Sequence, residues 1–288
     1  MNTADLLKKI RHLEIRTKGL TRHIFSGQYH SAFKGRGMAF SEVRDYQFGD
    51  EVRTIDWNVT ARFNDPYVKV FEEERELTVM LIIDISGSSK FGTEQRSKKE
   101  LALEIAAVLS FSAISNGDKV GAIFVSDQVE KYIPPEKGRK HVLYLLRELI
   151  EFKNKSQSTN LSEGLKYFTN TQKKRSIAFV ISDFIDENDF MQSLRVAKRK
   201  HDMVAIQVYD HADFDIPDLG IIKVTNAETG QKFWMNTADK KHKELYREKA
   251  EEKQKLLERE LKKSGIDSIR IATNEDIVKP LIKLFKER

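Results

Sequence analysis

After residue 76 the chain alternates apolar runs with segments of helical periodicity, and this rhythm limits it to few architectures. Strand patterns fall at 77–83, 119–125, 175–181, 202–208 and 268–271, separated by helical patterns at 96–114, 139–152, 161–168 and 186–199. Parallel neighbours need long crossovers, so such repetition predicts an α/β fold with a mainly parallel sheet and helices on both faces. Residues 128–133, closed by Pro134-Pro135, read as an edge strand, since proline cannot donate to a central ladder. Beyond Tyr209 the rhythm loosens. Residues 211–219 read as a loop, and 221–224 and 232–235 flank the turn-like Ala227-Glu228-Thr229-Gly230 as a hairpin. Residues 240–263 form a long charged helix stopped by Ser264-Gly265.

The run Leu77-Thr78-Val79-Met80-Leu81-Ile82-Ile83 ends in chemistry: Asp84, Ser86 and Ser88 form an Asp-x-Ser-x-Ser string around Gly87. Open α/β sheets place their ligands at such strand ends. One carboxylate with two neutral hydroxyls suits a hard, oxygen-seeking cation such as Mg²⁺, with Mn²⁺ or Ca²⁺ as substitutes. Zinc is poorly served, because cysteine is absent and the histidines lack ligand spacing. The plainer reading is that Asp84 caps the following turn while the serines satisfy loop amides. Two more segments bear on that choice. Thr159 precedes the helical pattern Leu161, Leu165, Phe168, and Ile177-Ala178-Phe179-Val180-Ile181-Ser182-Asp183 is a second apolar strand ending in a carboxylate.

In this order, Asp84-Ser86-Ser88, Thr159 and Asp183 resemble the metal-ion-dependent adhesion site of von Willebrand factor A domains. The resemblance implies a Rossmann-like fold in which these five residues hold one divalent ion, directly or through water. It leaves a coordination position for an Asp or Glu carboxylate from a partner protein.

A second resemblance lies upstream. Residues 35–50, Gly35 through Arg44-Asp45-Tyr46 to Asp50, continue into Arg53-Thr54-Ile55-Asp56-Trp57-Asn58, Thr60-Ala61-Arg62 and Phe71-Glu72-Glu73-Glu74-Arg75-Glu76. This is similar to the bacterial domain-of-unknown-function 58 family, which joins such a segment to a von Willebrand factor A-like domain. The implied organisation is a family-specific segment over 1–75, packed on a sheet domain over 76–288. The resemblance further implies an adaptor working with a MoxR-type AAA ATPase. Within the segment, Arg44, Asp50, Arg53, Asp56, Trp57 and Arg62 offer forked Arg–carboxylate pairs beside aromatic anchors. They fit an ion-pair network pinning the segment or a partner-binding surface.

Composition narrows the remaining classes. With 288 residues the chain can bury a proper core, and the absence of cysteine removes disulfides, thiol catalysis and Fe–S clusters. Charges interrupt the first ten residues, which read as an amphipathic helix rather than a signal peptide, and no apolar run reaches membrane-spanning length. The hydrophobic anchors that many members of the family carry ahead of their conserved segment are not seen, so a cytoplasmic protein is expected. The opening basic stretch could meet phosphate, but 50 Lys+Arg against 44 Asp+Glu is a mild excess without a nucleic-acid motif. A Mg²⁺-dependent phosphohydrolase is the enzymatic alternative. Ser86 stands where such enzymes place a second acid, and neither a Walker loop nor a histidine triad is present, so the expectation is a non-enzymatic module.

Overall fold

The computed structural model describes residues 39–63, 65–72, 77–92, 96–153, 156, 158–186, 188–225 and 231–288. The amphipathic helix and basic stretch expected near the start, and the hairpin tip at 226–230, lie outside these residues. The chain divides into two compact units, one ending at Leu77 and the other running from Thr78 to Arg288.

In the first unit, β1 (Ala39–Asp45) pairs antiparallel with β2 (Tyr67–Glu72). A 3-10 turn (Val52–Thr54) and α1 (Trp57–Phe63) lie between them. Asp56 starts α1 by accepting the Asn58 and Val59 N–H groups at 3.0 and 3.3 Å. Arg44 closes the turn after β1 with a forked pair to Asp50, 2.8 Å on each arm, and Asp50 also accepts the Gln47 N–H at 2.8 Å.

The second unit contains β3 (Thr78–Asp84), α2 (Lys98–Ser115), β4 (Lys119–Val125), β5 (Val129–Glu136), α3 (Arg139–Glu151), α4 (Leu161–Thr171), β6 (Ile177–Ser182), α5 (Met191–Lys200) and β7 (Asp202–Tyr209). There follow β8 (Ile221–Thr225), β9 (Lys232–Asn236), α6 (Lys240–Lys263), β10 (Asp267–Ala272) and α7 (Val278–Lys286). Six strands form one sheet in the order β10-β7-β6-β3-β4-β5, all parallel except β5, while β8 and β9 form the expected hairpin.

β3 sits centrally, and Val79 through Ile83 are at most 1% exposed, as a strand covered on both faces requires. Met80 and Ile82 pack into a core with Leu161, Leu165, Phe168, Leu194 and Leu261 from α4, α5 and α6. Alternation sends Val79, Leu81 and Ile83 to the opposite face. There Phe179 of β6 meets Phe285 of α7 edge to face at 6.3 Å. Helix α2 is buried around most of its circumference and is started by a capping box between Ser97 and Glu100.

Three details differ from the sequence expectations. β5 runs on through Pro134 and Pro135 to Glu136, which an edge strand tolerates because its outer N–H groups need no partner. Helix α5 begins at Met191 rather than near 186, because Asp186 is engaged at the start of α4. Helix α7 was not expected.

Candidate metal centre

From β3 the chain winds outward through β4 on one side, and it resumes on the other side with β6 and β7. The order therefore reverses between β3 and β6, and the crevice at their carboxyl ends is where a doubly wound sheet binds ligands. Asp84 ends β3 and Asp183 follows β6, so both predicted carboxylates flank this switch point.

Asp84 is 5% exposed. Its Oδ1 accepts the Ser86 N–H at 2.9 Å and its Oδ2 accepts the Ser182 hydroxyl at 2.6 Å. The turn Gly87–Lys90 carries Ser88 back toward the strand end, where the Ser86 and Ser88 hydroxyl oxygens lie 3.1 Å apart. Asp183 is equally buried, and its Oδ1 accepts the Ile185 N–H at 3.1 Å. Asp84, Ser88, Ser89, Lys98, Ser182 and Asp183, with Ala102 and Val208, line a cavity of about 10 Å³. That is room for about one water-sized sphere, which suits a small ion and not a phosphorylated substrate.

Thr159 is 4% exposed but does not line this cavity. Its segment belongs to the same edge of the sheet. The Asn160 N–H reaches Ser126 O just past β4, beside the bond from the Ile85 N–H to Val125 O. Asn188 donates to the Thr159 carbonyl at 3.2 Å, and Asp186 accepts the Leu161 N–H at 2.8 Å. Asp186 is thus a capping residue whose loop ties Thr159 to the segment after Asp183.

Sequence reasoning missed Ser182 and Lys98. Ser182 ends an apolar strand, and its hydroxyl gains a target only through the pairing of β6 with β3. Lys98, 1% exposed, places its Nζ 3.0 Å from Asp183 Oδ2 and 2.7 Å from Asp213 Oδ2. No local pattern signals that contact, because Asp213 lies in the 3-10 turn after β7.

Two buried carboxylates, Asp84 and Asp183, and one buried ammonium, Lys98, face the cavity. Burial, reinforced by the charge of Asp183, pushes the Asp84 carboxyl up to about 6, against the lowering influence of Ser182 and Ser86. Burial works against the Lys98 charge too, but Asp183 and Asp213 outweigh it and hold the ammonium above its ordinary range. A lysine kept charged in this way is neither a general base nor a nucleophile. Among the described residues no group of three or more His, Cys, Asp or Glu is gathered as a metal site. What the cavity offers is two carboxylates and hydroxyl oxygens, a donor set that would fit Mg²⁺ or Mn²⁺.

Residues 42–256, most of the first unit and the sheet to within α6, match the family described as "Protein of unknown function DUF58". The chain belongs to the DUF58 family. The chain is 31% identical over 227 residues to the Uncharacterized protein Mb1516 of Mycobacterium bovis, covering 78% of this chain and 72% of the relative. Among solved structures, BatB from Bacteroides thetaiotaomicron is 16% identical with a TM-score of 0.49, covering 73% of this chain and 98% of that one. An aerotolerance-related membrane protein from Bacteroides fragilis is 16% identical with a TM-score of 0.47, covering 74% and 100%. The strand order and the single antiparallel edge give this DUF58 protein a von Willebrand factor A-like sheet.

The upstream residues divide. Arg44, Asp50 and Asp56 are engaged within their own unit, and the Arg44 guanidinium, with the Gln47 N–H, holds the Asp50 carboxyl down at about 2. Arg53, Trp57 and Arg62 are exposed, Trp57 to 66%. Among the described residues no helix is long and apolar enough to cross a membrane.

Proposed function

We propose that this DUF58 protein is a non-enzymatic, divalent-metal-dependent protein interaction module. Asp84, Ser86, Ser88, Thr159 and Asp183 would hold the ion directly or through water, Thr159 through water because it does not line the cavity, and the ion would bind an Asp or Glu carboxylate of a partner. The observation that carries this reading is the convergence of Asp84, Ser88 and Asp183 on one ion-sized cavity at the topological switch point. A Mg²⁺ ion held there supplies an electrophilic coordination position. The chain's own residues supply orientation: Ser182 and the Ser86 N–H fix the two Asp84 oxygens, and the Ile185 N–H fixes one of Asp183.

The phosphohydrolase alternative is weaker on this geometry. It needs a proton donor at the second acidic position, and Ser86 stands there with its hydroxyl turned to Ser88. Lys98 is a poor proton donor for that part, because Asp183 and Asp213 hold its proton more tightly than an ordinary lysine's.

The family resemblance makes a MoxR-type AAA ATPase the proposed partner and the cytoplasm, consistent with a cysteine-free chain, the proposed compartment. Exposed Trp57, Arg53 and Arg62 are residue types that dominate interface hot spots, so the first unit is proposed as a second contact. The test is capture of the purified ATPase on immobilised protein with Mg²⁺ and with EDTA. Capture that needs Mg²⁺ supports the reading; capture indifferent to EDTA, or turnover of a generic phosphate ester, contradicts it.

A further inference from the structure

We propose that Lys98 is a built-in counter-cation of the metal centre, which holds down the site's own affinity for a divalent ion and leaves that ion dependent on a partner's carboxylate. This rests on the metal-dependent reading above and concerns how the same site is regulated.

Lys98 occupies the first turn of α2, the helix end at which the macrodipole disfavours a cation. Its presence there is therefore not explained by helix stability. It is 1% exposed, and a buried ammonium persists only when paired. The pairing is divided: one contact goes to Asp183, a candidate metal ligand, and the other to Asp213, which does not line the cavity. The backbone fixes this placement through the Lys98 N–H to Phe91 O bond at 2.9 Å, and the Phe91 ring lies 5.7 Å from the ammonium.

Two consequences follow from Coulomb's law. A divalent ion entering the cavity meets a fixed positive charge on its wall, which weakens binding. Asp183 shares its charge between Lys98 and the ion, so less of the ion's charge is matched by the protein and more is available to an external carboxylate. Asp213 moderates both effects by drawing on the ammonium from the other side. Lys98 thus acts as a positioning and charge-setting residue, not as a ligand.

The test is calorimetric titration of Mn²⁺ into the full chain as wild type, K98Q, D213N and K166Q. Lys166 is exposed on α4, away from the cavity, and controls for net charge. Removing one unit charge beside a divalent ion should tighten Mn²⁺ binding in K98Q by about tenfold or more. D213N, which leaves Lys98 paired to Asp183 alone, should weaken it by a similar factor, and K166Q should stay within about twofold of wild type. Should K98Q fail to fold by circular dichroism, D213N carries the test with its ammonium in place. Binding by K98Q with none by wild type also supports the proposal. Wild-type binding that K98Q leaves unchanged or weakens, or that D213N leaves unchanged, overturns the role of Lys98 while the metal centre stands. Absence of binding in all four proteins overturns both.

Discussion

Ser182 donates its hydroxyl to Asp84 Oδ2 at 2.6 Å across two neighbouring parallel strands, and the Ser182 Oγ in turn accepts the Phe184 N–H at 2.9 Å. One buried hydroxyl therefore orients the first candidate ligand and fixes the turn that carries the second. That turn is unusual in its backbone. Phe184 has φ 57°, in the left-handed region that non-glycine residues rarely occupy, and its ring is packed 5.7 Å from Phe190. Buried aromatic packing and the Ser182 bond hold a conformation that local preference opposes, as happens where geometry serves a site.

Ser182→Ala leaves the Phe184 N–H and one Asp84 oxygen without this partner. Unsatisfied buried groups of this kind cost about 1–3 kcal/mol, so urea unfolding of the metal-free variant should show a loss of that size. A loss near zero would mean that the bond does not order the turn.

Asp84→Asn should stabilise the metal-free protein at neutral pH. Burial, then Asp183, raises the Asp84 carboxyl from its ordinary 3.8 to about 6. Stability from its protonated form is fully present below the ordinary value and lost as pH rises through about 6. A shift of that size corresponds to roughly 3 kcal/mol. Unfolding free energies in EDTA between about pH 4 and pH 8 should show wild type falling behind the variant as pH rises.

His201 gives the opposite sign. It is 2% exposed against the Phe168 ring, with Nδ1 3.1 Å from the Ser176 hydroxyl. Burial, aided by Lys200 and Arg175, lowers its pKa from 6.5. Its contribution is full above that ordinary value and is lost as pH falls toward the lower folded one. His201→Gln should remove this acid arm. Because Asp84 titrates nearby with the reverse slope, the readout is the pH dependence of the difference between each variant and wild type.

Much of the sheet was legible from residue order. Continuous apolar runs such as 77–83 announce strands buried on both faces, and 119–125 and 240–263 coincide with β4 and α6. Boundaries slipped where a side chain served another element, as Asp186 does at the start of α4. At the site, Asp84, Ser86 and Ser88 were readable because strand-end chemistry is local in sequence. Ser182 and Lys98 were not, since each acts on a residue 98 or 85 positions away and only the β3–β6 pairing and the docking of α2 bring them together. Arg44 and Asp50 form a forked pair, a partnership that residue order alone does not single out from the other Arg and Asp residues of the segment.

The most direct measurement is calorimetric titration of Mg²⁺ into the EDTA-stripped full chain, as wild type and as Asp84→Ala. The account predicts one saturable site in wild type and none in the variant, with the variant still folded by circular dichroism. Absence of binding by both wild type and K98Q, or binding that survives in a folded Asp84→Ala protein, would contradict a metal centre at Asp84.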